Sequence, residues 1–224
     1  MDRLIYRFNN KSPQSSFNSK DVLGGKGANL AQMAKLGLPV PPGFTISTKI
    51  CEFFFKNNKK ITKKVIQQIK KEINIIEKIT KKKFGDLSNP LLVSVRSGSR
   101  VSMPGMMDTV LNLGLNDKTV IALKNKTSNG RFAKDSYRRF IQMYSNVVLG
   151  IQLYLFEELI ENYKLTKGVI QDTELEENDW DGLIQNFKKK IWRFGKSTVG
   201  IREIGFKSFY ARHDGYNFKF GIKW

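Results

Sequence analysis

The junction between residues 91–96, LLVSVR, and residues 97–107, SGSRVSMPGMM, constrains the fold more than any other stretch of the chain. Leu91, Leu92, Val93 and Val95 form a short apolar run with branched residues, which suits a buried strand. Arg96 ends that run. A buried strand that closes on an arginine and opens into a Gly/Ser loop can present an anion site. The strand fixes the guanidinium, and the small residues let backbone N–H groups face a ligand. The same residues also fit an arginine capping a strand beside an ordinary turn. Spacing alone does not separate the two readings.

A second glycine cluster lies near the start, Leu23-Gly24-Gly25-Lys26-Gly27, with helix formers through Leu36 and a stop at Gly37. A Gly-rich loop at a helix N-terminus offers unpaired N–H groups and the positive end of the dipole, and Lys26 adds a full charge there. It is not a Walker A loop, because the glycine spacing differs and Gly27 follows the lysine. Read alone, it also fits a plain helix start.

The remaining elements follow from period and punctuation. Leu4, Tyr6 and Phe8 alternate as a first strand, and the polar stretch 9–19 reads as a loop. The proline-rich LPVPPG leads into a strand over Phe44–Ser47, and Thr48 can cap the helix after it. Cys51 in that helix reads as a small buried hydrophobe. Ile61, Val65, Ile69, Ile73 and Ile76 define an amphipathic helix with a basic outer face. Leu111, Leu113 and Leu115 alternate, then Asn116 or Asp117 caps a short helix. A long helix over 132–148 places Phe132, Tyr137, Phe140, Ile141, Tyr144 and Val148 on one face, with Arg138 and Arg139 off it as surface or salt-bridge groups. Helical patterns over 153–163 and 180–191 complete the core.

Three long blocks carry a resemblance. VSVRSGSRVSMPGMMDTVLNLGLND, DVLGGKGANLAQMAKLGLPVPPGFTIST and RFAKDSYRRFIQMYSNVV resemble the N-terminal nucleotide-binding region of pyruvate, phosphate dikinases, over roughly residues 1–190. The resemblance implies an α+β fold: a partial ATP-grasp-like nucleotide-binding domain with a mixed sheet subdomain (1–112) and a mostly helical subdomain (113–190). It implies ATP as ligand, with Lys26 and Arg96 contacting phosphates, Gly98, Met103, Gly105 and Met107 in a phosphate-covering loop, and Arg100 beside them. The full-length family interconverts ATP, phosphate and pyruvate with AMP, diphosphate and phosphoenolpyruvate. Its Mg²⁺ ligands, carrier histidine and pyruvate-binding barrel lie in sequence absent here, so no catalytic residue is assigned. The only histidine, His213, does not match the carrier motif. The expectation is an ATP-binding phosphotransferase fragment, inactive alone, with a separately encoded remainder as a candidate partner. Related dikinases, such as phosphoenolpyruvate synthase or glucan water dikinase, fit SMPGMMDTVLNLGLND less well.

The net charge of +19 raises one competing reading, a basic nucleic-acid-binding module. The excess is mostly lysine, accompanied by abundant Asn and Ile, and it does not interleave with aromatics as in a single-strand binder. A solvated lysine face is therefore preferred. No apolar run reaches the length of a membrane span, and a single cysteine fits a reducing, cytoplasmic setting. Residues 191–224 are basic, aromatic and without period, which predicts a poorly ordered tail. A shifted reading frame would leave such a segment.

Overall fold

A computed structural model describes residues 4–8, 20–58, 60–97 and 108–194, together with the backbone of 221–223. The elements, in chain order, are β1 (Ile5–Phe8), α1 (Lys20–Lys35), β2 (Gly43–Ile46), α2 (Thr48–Lys56), α3 (Lys63–Thr80), β3 (Val93–Arg96) and β4 (Thr109–Leu113). After them come α4 (Thr119–Thr127), α5 (Gly130–Val147), α6 (Tyr154–Lys167), α7 (Glu177–Arg193) and β5 (Gly221–Lys223). Helices with a small sheet make this an α+β chain. It divides into two compact units. The first holds the chain up to Lys82, Val93–Thr109 and β5; the second holds Lys83–Leu92 and the chain from Val110 through α7.

The first unit is a sheet with a helix on each face. Its strands run β1, β2, β5, β3. β1 and β2 pair antiparallel with Tyr6 opposite Thr45 and Phe8 opposite Gly43. Residues directly opposite share a face, and that face alternates along each strand. Tyr6 packs on Leu23, Ala28 and Ala31 of α1, and Phe8 packs on Leu30 and Ala34 of the same helix. On the other face, Arg7 forms a bidentate ion pair with Glu72 of α3. α3 buries Val65, Ile69 and Ile76 from its predicted stripe, and its N-cap Thr62 accepts from Val65 N–H at 3.4 Å.

The second unit is built on α5 and α7. Phe140, Ile141, Trp180, Leu183, Phe187 and Ile191 are fully buried, and Phe156 of α6 meets Phe187 edge-on at 5.0 Å. α4 starts where the sequence places a cap. Asn116 Oδ1 accepts from the N–H groups of Lys118 and Thr119 at 2.8 and 2.9 Å. Asn129 caps α5 by accepting from Phe132 N–H at 2.8 Å.

Five local expectations are corrected. The glycines 24–27 lie within α1 rather than in a loop before it, with one break at Gly24 (φ 69°, ψ 166°). Thr48 does not cap α2; its hydroxyl donates to the Asp21 carbonyl instead. Cys51 is half-buried rather than buried. Leu111 turns outward while Val110 and Leu113 turn in, because Asn112 takes a left-handed φ of 56° and breaks the alternation. Phe132 is exposed, whereas Arg138 is buried, held by Asp135 and by Gln142 Oε1 at 2.7 Å, with its guanidinium 4.4 Å above the Trp180 ring. The predicted tail falls mostly outside the described residues. Of those described, Ile191–Arg193 complete α7 and Gly221–Lys223 form β5.

Candidate anion site at the sheet edge

Helix α1 and strands β2 and β3 converge at one edge of the first unit. α1 packs its start against Tyr6 and Thr45 and its end against Phe8, so it runs antiparallel to β2. Its broken first turn therefore sits over the C-terminal end of β2. β2 and β3 each pair antiparallel with β5, so they are parallel to each other and end at the same edge.

Three close approaches fix the arrangement. A Cβ on Gly27 would lie 2.8 Å from Thr45 Cγ2 and 3.0 Å from Thr45 Oγ1, so this glycine lets α1 touch β2. Gly24 needs its positive φ to start the longer part of the helix. Ser97 N–H donates to the Asp108 carbonyl at 3.0 Å, which closes the chain leaving β3 against the chain entering β4.

The register fixes the position of Arg96. Tyr6, Thr45, Gly221 and Arg96 lie directly opposite one another across β1, β2, β5 and β3. Tyr6 and Thr45 face α1, so Arg96 emerges on the α1 face as well. Thr45 and Arg96 stand about 10 Å apart, two strand spacings. Lys26, half-buried, is the residue before Gly27 on α1. The two sequence-predicted cations are thus on one face at one edge. Arg96 is half-buried, and its Nε is buried with no hydrogen-bond partner among the described residues. A buried N–H without an acceptor is costly, so an acceptor belongs there.

Gly98, Arg100, Met103, Gly105 and Met107 lie outside the described residues. Ser47 was not singled out from the sequence. It is 2 % exposed, directly follows β2 at the same edge, and its Oγ is buried and without a partner among the described residues. Its only sequence signal was its place between a strand and a helix. For a divalent cation the donor set does not fit. Among the described residues no three of His, Cys, Asp and Glu stand together, and Asp108 is the one carboxylate beside Ser97. No helix among the described residues is long and apolar enough to cross a membrane.

Residues 20–83, which hold α1, β2, α2 and α3, match the family described as pyruvate phosphate dikinase, AMP/ATP-binding domain. A pyruvate, phosphate dikinase from Rhizobium meliloti (strain 1021) is 50% identical over 191 residues, covering 85% of this chain and 21% of that protein. Over most of its own length the chain is similar to the pyruvate, phosphate dikinases. The dikinase of Entamoeba histolytica is 51% identical over 183 residues, 82% of this chain and 21% of that protein. The chloroplastic dikinase of Flaveria pringlei is 49% identical over 186 residues, 83% of this chain and 19% of that protein. The chain spans about a fifth of the length of these dikinases.

Proposed function

We propose that the first unit is the phosphate-binding half of an ATP site of the pyruvate, phosphate dikinase kind, with an ATP-grasp-like arrangement. One observation carries the reading. Lys26 and Arg96, seventy residues apart in sequence, lie on the same face of one sheet at the edge where α1 begins and β2 and β3 end. Two cations on one face of the sheet, one of them with a guanidinium N–H unpartnered among the described residues, suit a polyphosphate better than a neutral ligand. Gly98, Arg100, Met103, Gly105 and Met107 follow Arg96 directly and are assigned to the loop over the phosphates. The hydroxyl of Ser47 adds a neutral donor.

The chemistry assigned to these residues is binding and orientation. Lys26 and Arg96 offset phosphate charge. Charge contacts open to water contribute on the order of 1 kcal/mol each. A few of them give affinity in the millimolar range.

The test is an ATP titration followed by amide chemical shifts. Saturable shifts confined to the start of α1, the end of β2 and the end of β3 are expected, lost in Lys26→Ala and in Arg96→Ala. Shifts spread over the lysines of α3, collapsing steeply with salt and reproduced by random DNA, would overturn the reading in favour of a phosphate-backbone binder.

A further inference from the structure

We infer that the strand Gly221–Lys223 completes the nucleotide site, acting as the coupling strand between its two cation-bearing halves, with Gly221 as the floor between them. The inference rests on the phosphate-binding reading above. β2 and β3 are parallel neighbours but one strand apart, and β5 fills that interval. β2 carries α1, and with it Lys26, through the contact of Gly27 on Thr45. β3 carries Arg96. The ladder from β2 to β3 runs entirely through the three residues of β5: Thr45 to Gly221 to Arg96 in one row, Phe44 to Ile222 to Val95 in the next.

Two consequences follow. Without β5, the backbone groups of Phe44 and Thr45 (0% and 4% exposed) and those of Val95 would face a gap one strand wide. The spacing of Lys26 to Arg96 would then have no backbone tie. Second, the residue of β5 that falls between Thr45 and Arg96 is a glycine. Glycine weakens a strand interior and marks places where a ligand or another backbone comes close. Here the row faces α1, the side on which both cations lie. Any larger residue at 221 would project into the interval between Thr45 and Arg96, where an anion held by Lys26 and Arg96 has to enter.

The experiment compares amide hydrogen exchange and ATP affinity in the full chain, in a chain ending at Phe220, in Ile222→Pro and in Gly221→Val. Ile222→Pro keeps the length but removes an N–H from β5 and locks its backbone. Both the shortened chain and Ile222→Pro should lose protection at least tenfold at the amides of β2 and β3 that face β5. The amides of α5 and α7 serve as the internal check that the chain is still folded. ATP affinity should fall at least tenfold in both. Gly221→Val should behave differently: valine favours a strand, so protection is kept while ATP affinity still falls at least tenfold. Unchanged β2 and β3 protection in the shortened chain would overturn the coupling role. ATP binding by Gly221→Val equal to the parent would overturn the floor. If the full chain itself shows no saturable ATP binding, the nucleotide reading fails, and the exchange comparison alone decides whether β5 couples β2 to β3.

Discussion

The two units solve the problem of a core in opposite ways. The helical unit takes nearly all its described structure from one continuous run, Val110 through α7, and fills it with large side chains: Trp180, Phe140, Phe156 and Phe187 are all at 0% exposure. The sheet unit is assembled from three separate stretches of chain, and α1 meets its face through Leu23 and Leu30 together with the small Gly27, Ala28, Ala31 and Ala34. Small residues permit close backbone approach but bury little area, and burial scales with area. The unit with the candidate site is therefore the one that depends on backbone register and close contact. The unit without it depends on side-chain volume. A stable core and an adjustable site are drawn from different parts of the same chain.

The largest effect should come from Trp180→Ala. Its ring is fully buried between α7 and α5 and also supports the Arg138 guanidinium at 4.4 Å. Truncation is expected to cost the helical unit about 3–5 kcal/mol, read as a shift in the urea midpoint of the α5 and α7 amides. A loss under about 1 kcal/mol would break the contrast, because a volume-dependent core cannot absorb such a deletion. Arg138→Ala comes next. Burial pushes this guanidinium down from its usual pKa, and Asp135 beside it opposes that shift. Removing it leaves Asp135 with the exposed Arg139 at 3.1 Å and strips the face of Trp180, for an expected cost of about 3 kcal/mol. Arg138→Met, which keeps the packing on the ring, should cost less by the same measurement.

Two glycines sharpen the comparison at a smaller scale. Gly27→Ala in the sheet unit drives a Cβ to 2.8 Å from a methyl of Thr45, a branched side chain set in a strand. An expected cost of about 1–3 kcal/mol follows from overpacking a contact that cannot yield. Gly130→Ala in the helical unit meets the Glu177 carboxylate at 1.7 Å, nominally a worse clash. That carboxylate is the end of a flexible side chain on a partly exposed ion pair with Lys124, so it swings away and the expected cost is below about 1 kcal/mol. Thermal unfolding of the two variants checks the order. A larger loss for Gly130→Ala would show that register and close approach do not limit the sheet unit.

Much of this was legible in the sequence. The strands β1, β2 and β3, the stripe of α3 and the cap at Asn116 follow from local period and side-chain chemistry. Lys26 and Arg96 were named on the resemblance, since the glycines and the strand end beside them also fit a plain helix start and a capped strand. What escaped depends on long-range partners. Leu111, Leu113 and Leu115 read as one alternating set because alternation ignores a single left-handed residue such as Asn112. Arg138 was assigned as a surface or salt-bridge group, and it does pair with Asp135, but charge alone does not reveal its burial over an indole. Gly221 carries no local signal, since its place between Thr45 and Arg96 is a property of pairing across the whole chain. Ser47 escaped for the same reason.

The smallest expected effect is a titration in the second unit, in the turn Lys83–Asn89. Asp86 accepts from the Ser88 hydroxyl at 2.7 Å and from the N–H groups of Asn89 and Ser88 at 2.8 and 2.7 Å. The Ser88 hydroxyl leads and the two N–H groups follow in lowering its pKa from 3.8 to about 2. A folded pKa below the unfolded value means that the unfolded chain binds the proton first. The stabilisation from this turn is therefore complete above the unfolded value of 3.8 and fades as pH falls towards about 2. The group lies at the surface, so the change should stay local and leave the α5 and α7 amides unmoved. Following the Ser88 and Asn89 amide shifts from pH 5 downward should give a midpoint near the lowered value. A midpoint near the ordinary carboxylate value would mean that the three donors are not held on Asp86 in solution. The second unit would then have a loop as dependent on loose contacts as anything in the first.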